Sequence, residues 1–197
     1  RLLADDKINR SIDIAESYLS QNPEDMESFY VLASAYAQKG EIRIAMDYVD
    51  KSLELGIPFS RYLAGPRDIL QPLVTSKPFQ KRIQNNGPYL LHGPMLSDVT
   101  DSKAEFWVRT FRENPVSVFV HKFGSKDTLL SDIVKTRAAN DYTAIIPVTG
   151  LKPNTEYHYG IIIGDQKINH RWVFHTYPKT GDPGTYSIGF GGGAGYT

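Results

Sequence analysis

The sequence predicts an all-α segment followed by an all-β segment, and three observations point to it. Apolar residues recur every three or four positions in the first half, the spacing of one helix face. In the second half they recur every second position, the spacing of one sheet face. The change falls at Asn85-Asn86-Gly87-Pro88, a cluster of turn-forming residues.

In the first half, Ile12, Ala15, Tyr18 and Leu19 predict one helix, and Leu32, Ala35 and Tyr36 a second. Ile42, Ala45, Met46, Val49 and Leu53 predict a third. The breaks are Gln21-Asn22-Pro23, where proline lacks the N–H a helix needs, and Lys39-Gly40-Glu41. Residues 59–84, with Leu63, Ile69, Leu70, Leu73, Phe79 and Ile83, predict irregular capping helices. The last of these opens at Lys77-Pro78-Phe79, with proline in its first turn. Beyond Pro88, Ala104/Phe106/Val108, Val116/Val118/Val120 and Tyr157/Tyr159/Ile161/Ile163 alternate with their neighbours as half-buried strands do. Glu113-Asn114-Pro115, Lys152-Pro153-Asn154 and Ile163-Gly164-Asp165 supply the turns.

Composition excludes several classes of function. Lys and Arg total 22 against 22 Asp and Glu, so the basic surplus of an electrostatic nucleic-acid binder is missing. No apolar run approaches the roughly 20 residues that cross a bilayer, so no membrane span is expected. There is no Cys, which removes disulfides, thiolate metal sites and a Cys nucleophile. No Ser-His-Asp set, paired carboxylates or His-x-x-x-His spacing stands out, so no catalytic, cofactor-binding or metal-ligating residue is assigned. The chain starts at Arg1 without an initiator Met and stops just after a glycine run, which predicts a piece of a longer protein.

Phe29, Leu32, Ala33 and Tyr36, then Gly40, Ala45 and Val49, sit at the spacings of a tetratricopeptide repeat. Residues 1–86 therefore resemble one such repeat, preceded by the second helix of another and followed by capping helices. Val49 replaces the usual aromatic, and Ile57-Pro58 displaces the closing proline by one residue. The resemblance implies helical hairpins that either space the adjoining domain or bind a protein or peptide on a concave surface.

Leu151-Lys152-Pro153-Asn154-Thr155-Glu156-Tyr157 resembles the tyrosine corner of fibronectin type III domains. There a buried Tyr hydroxyl returns to the backbone near the Leu. With about seven short strands in residues 87–178, this implies a fibronectin type III or immunoglobulin-like β-sandwich. Gly93-Pro94, then Val99-Thr100, then Ala104 through Trp107-Val108-Arg109 narrow the likeness further. They resemble the opening of the N-terminal sandwich of PhoD-like alkaline phosphatases and phosphodiesterases. In that family a calcineurin-like metallophosphoesterase domain follows at once. Phe174 to Pro178, a polar linker from Lys179, and Tyr186 to Gly193 resemble the end of that sandwich and the first catalytic strand. This makes 179–197 the linker and opening of a further domain.

The resemblance implies phosphate-ester hydrolysis by the full-length protein, with divalent or trivalent metals (Fe, Ca, Zn or Mn) held downstream of these residues. It also implies a periplasmic or secreted location. Phe190-Gly191-Gly192-Gly193 places Gly193 where the family often has a Cys near the metals, so a Cys-assisted site is not expected. The partner expected of residues 87–178 is the protein's own catalytic domain. By alternation, Phe119 and His121 face outward on one strand, His158 on the next and His175 on a third, while Trp107 faces away from Ala104, Phe106 and Val108. Trp107, Phe119, His121, His158 and His175 are therefore the candidate interdomain contacts. Two alternatives stay open: the three histidines binding Zn or Cu, and the whole chain serving as a non-enzymatic interaction or adhesion module.

Overall fold

The structure, a computed structural model, describes residues 8–86, 90–125 and 127–185. Among them, helices come first: α1 (Ile8–Gln21), α2 (Met26–Gln38), α3 (Ile42–Glu54), α4 (Phe59–Ala64), α5 (Arg67–Val74) and α6 (Lys77–Asn86). Asp25 caps α2, its carboxylate accepting the Ser28 N–H at 2.8 Å and so satisfying one of the orphan donors of the first turn.

Helix α2 is buried on two sides, which explains its run of small residues. Leu32 and Ala35 pack on Ile12 and Ala15 of α1. Ala33 and Ala37 face the other way, toward Ala45 and Val49 of α3 and a cluster built on Tyr62, Leu70, Leu73 and Phe79. A larger side chain at Ala33 or Ala37 would push the helices apart.

Helix α5 carries Pro72 inside it, which removes the N–H that would serve the Asp68 carbonyl. The Gln38 side chain reaches this turn. Its Nε2 donates to the Ile69 carbonyl at 2.8 Å and, more weakly, to that of Asp68 at 3.4 Å. Chemical denaturation of Gln38→Ala should show a loss of about 1 kcal/mol. An unchanged midpoint would mean that water serves those carbonyls equally well.

Strands follow: β1 (Leu90–Ser97), β2 (Lys103–Thr110), β3 (Pro115–Lys122), β4 (Thr128–Leu130), β5 (Val134–Lys135), β6 (Thr143–Thr149), β7 (Glu156–Ile163) and β8 (Gln166–His175). One sheet has the order β1-β2-β6; the other runs β4-β3-β7-β8, with β5 also pairing β3. The β3–β7 and β7–β8 pairs are antiparallel. Phe106 of the first sheet lies 4.8 Å from the Tyr159 ring of the second and meets Phe174 edge-on at 5.8 Å, so the sheets face each other across an aromatic core. Helices followed by antiparallel sheets is thus the architecture, as the change of period predicts.

Tyr157 is buried, and its hydroxyl accepts the Lys152 N–H at 2.9 Å, one residue beyond the buried Leu151. The turn between them uses Asn154 at φ +47, a left-handed conformation that Asn tolerates. The β7–β8 register runs in step until Tyr159↔Trp172 and resumes at Ile161↔Ile168. Gly160 alone therefore faces three residues of β8, a bulge that bends the strand.

Packing divides the chain into two compact units. The first holds the described residues up to Gly93 with Val108–Asn114 and Lys135–Ala144. The second holds Pro94–Trp107, Pro115–Val134 and the described residues from Ile145 onward.

Candidate functional site

The outer face of the β3–β7–β8 sheet carries most of the expected contact residues. His121 and His158 are cross-strand partners, and their rings stack at 5.4 Å with 29° between planes. Phe123, just past β3 and on the same side by parity, also stacks on His158 at 5.4 Å. It is 66% exposed. The Glu156 carboxylate lies 3.5 Å from His158 Nε2. Val173, paired with His158 on β8, is 53% exposed.

His175 belongs to the neighbouring row, opposite Glu156, and its Nδ1 lies 2.9 Å from the carbonyl of Thr176. Two imidazoles meet and the third does not. Among the described residues no group of three or more His, Asp or Glu is gathered to hold a metal. The three-histidine Zn or Cu site read from alternation is therefore not formed. The described residues also lack a donor set for the metals that the phosphatase resemblance implies, so no hydrolytic step is derived from them.

Phe119 departs from the expectation of an exposed outward ring: it is 3% exposed. Its cross-strand partner is Gly160, and the absent side chain lets the ring lie against the β7 backbone. Lys167 Nζ sits 4.1 Å above that ring, a cation–π contact that also covers it. Phe119 is consumed by its own sheet and is not available for docking. Trp107 is half-buried on β2 in the three-stranded sheet, apart from the histidines. The structure thus brings His121 and His158 together, sets His175 beside them, and adds Phe123 and Glu156, which the sequence reading missed, and Val173, which alternation with Trp172 and Phe174 already turns outward. Parity with His121 was enough to find Phe123; only the β7–β8 register sets Val173 opposite His158.

The start of the polar linker is anchored. The Asp101 carboxylate accepts both the Thr180 N–H and the Thr180 hydroxyl at 3.0 Å. The backbone bond from Thr180, with help from Ser102, holds the Asp101 carboxyl below its ordinary pKa. Gly87-Pro88 and the glycine run Phe190 to Gly193 lie outside the described residues.

A family profile described as a domain of unknown function, DUF7800, matches residues 87–179. No curated protein matches the chain. Among solved structures the chain is similar to PhoD, at 17% identity over 44% of this chain and 19% of that one, with a TM-score of 0.38. It is also similar to the long form of the sensor domain of the anti-sigma factor RsgI4 in Pseudobacteroides cellulosolvens. That match has 14% identity over 52% of this chain and 99% of that one, with a TM-score of 0.38. A computationally redesigned β-sandwich protein is similar at 17% identity over 47% of this chain and 95% of that one, with a TM-score of 0.35. The chain spans only 19% of the PhoD structure's length.

Proposed function

We propose that the strand-rich part is a non-catalytic docking module of a metal-dependent phosphatase or phosphodiesterase, with the helices spacing it or binding a protein. The observation that carries the docking role is the outer face of the β3–β7–β8 sheet. There the His121–His158 stack, Phe123 and exposed Val173 form a continuous aromatic and apolar surface on one side of three paired strands. Exposed surfaces of that kind mark contact sites more often than free surface. The resemblance of residues 93–110 to the opening of the PhoD-like sandwich supports a phosphoesterase domain as the partner. Hydrolysis then belongs to residues downstream, and the sandwich contributes position and stability.

Hydrolysis of bis-p-nitrophenyl phosphate tests both parts. The full-length protein should hydrolyse it with a metal requirement, and a chain ending at Thr197 should not. Val173→Asp places a charge on the docking face without touching the core. It should make the full-length protein more sensitive to protease between the two domains. Activity in the chain ending at Thr197, or no metal-dependent hydrolysis by the full-length protein, overturns the phosphoesterase reading. Unchanged protease sensitivity in Val173→Asp overturns the docking face.

A further inference from the structure

A second site lies wholly within the first compact unit. A cavity of about 600 Å³ opens beside α4 and α5, with Tyr62 and Leu70, both fully buried, among its lining. Phe111, Arg112 and Tyr142 come from the unit's other two stretches, and Arg67 from the start of α5. The volume is that of ordinary small-molecule sites, which combine an apolar floor with a few placed polar groups.

Tyr142 is the informative residue. Asp141 and Tyr142 adopt φ +54 and +57, two consecutive non-glycine residues in the left-handed region. For a bulky aromatic this is a true outlier, and such strain persists only where the surroundings over-determine the backbone. They do so here. The Tyr142 N–H donates to the Arg137 carbonyl at 2.9 Å, and the Tyr142 carbonyl accepts the Thr110 N–H at 3.0 Å. Thr110 is itself buried and bonded to the Thr136 hydroxyl at 2.8 Å. One oxygen of the Asp141 carboxylate pairs with Arg67, and the other with Arg109 at 2.9 Å. Glycine would fit this backbone without cost, yet the chain holds a tyrosine ring there, lining the cavity with the Arg67 guanidinium 5.6 Å from its centre.

Charge gives the sign of the ligand. Arg67 and Arg112 line the cavity with Asp68, and Asp141 behind Tyr142 pairs with Arg67 and Arg109, so three guanidiniums stand against two carboxylates and one positive charge is left uncompensated. Arg112 lines the cavity and has no ion-pair partner among the described residues. A guanidinium can pair with an anionic group and also stack on a planar one. With the Tyr142 and Phe111 rings alongside, that set suits a flat conjugated molecule bearing a single negative charge.

We propose that this cavity binds a small planar organic monoanion, held by Arg112 and by the Tyr142 ring that the strained Asp141-Tyr142 turn presents. The test uses the full-length protein and 2-naphthoate, a planar aromatic monoanion, followed by its fluorescence. Saturable one-site binding is expected. Arg112→Ala and Tyr142→Gly should each weaken it by about tenfold, whereas Arg43→Ala, a distant exposed cation, should leave it unchanged. Tyr142→Gly relieves the strain, so its circular dichroism should match the parent protein and its melting point should not fall. Should it nevertheless unfold, exposed Arg112 carries the test through Arg112→Ala and Arg112→Gln. Absence of saturable binding overturns the proposal, as does equal affinity in the folded variants. Displacement of the probe by inorganic phosphate at equal concentration overturns the requirement for a ring.

Discussion

Gly160→Ala is expected to destabilise the protein by about 3 kcal/mol, far more than one added methyl group costs at most positions. A Cβ built there falls 2.4 Å from Phe119 Cζ and 2.6 Å from the Ile168 carbonyl oxygen. The ring is held in place, paired across the strand, buried and covered by Lys167. The carbonyl belongs to β8 next to the bulge, so relieving that contact means moving backbone. Urea denaturation of Gly160→Ala, Phe119→Ala and the double variant forms a cycle that separates the two contacts. Removing the ring relieves only the first, so the double variant should be more stable than the two single losses added together predict, but less stable than Phe119→Ala. A loss under about 0.5 kcal/mol in Gly160→Ala would mean that the pair has room the geometry denies.

That pair also shows what the sequence could and could not disclose. Period two placed Ala104, Phe106 and Val108 inward, and all three are fully buried, as are Val116, Val118 and Val120. The same rule sent Ser117 and Phe119 outward, yet both are buried as well. Alternation reports which face a side chain leaves from, and not whether the neighbouring strand covers it. The missed signal was Gly160 itself, a lone glycine within Tyr157-His158-Tyr159-Gly160-Ile161-Ile162-Ile163, which marks close approach or a bulge.

The helices were legible for a different reason: Ala33, Ala35, Ala37 and Ala45 are small because two helix faces must pack at once. Helix α5 with its internal Pro72 was the harder case, since the Gln38 side chain that bonds its first-turn carbonyls lies more than thirty residues from that proline. At the candidate docking face, residue type and parity gave the histidines, but the register decided that two of them stack and the third stands in the next row. The strained Asp141-Tyr142 turn carried no warning beyond an Asn-Asp pair, because nothing local makes a tyrosine adopt a positive φ. Only long-range partners such as Arg67, Arg109 and Thr110 do that.

Tyr62 should give the second large effect, and one that can be resolved into ring and hydroxyl. The side chain is 1% exposed, its ring 4.8 Å from that of Tyr30 and 6.0 Å from that of Phe79. Its hydroxyl lies 2.6 Å from Ser52 Oγ, which in turn is 2.8 Å from the Val49 carbonyl. The serine proton goes to that carbonyl, so Tyr62 is the donor in the pair. Tyr62→Ala removes the ring and should cost about 4 kcal/mol, whereas Tyr62→Phe keeps it and should cost about 1 kcal/mol. Ser52→Ala leaves a buried hydroxyl without its acceptor and should cost about 2 kcal/mol. Burial raises the pKa of the Tyr62 phenol, and burial with Glu16 nearby raises that of Tyr36 to about 12. An unfolded tyrosine releases its proton near pH 10. Below that both states hold the proton and stability is complete; above it only the unfolded chain ionises, and stability is lost as pH rises through the raised folded values. Tyr62→Phe removes one of these groups, so its stability should fall less steeply than that of the parent protein above pH 10. Equal alkaline slopes in the two proteins would place the Tyr62 hydroxyl in water and remove the basis for the buried Ser52 pair.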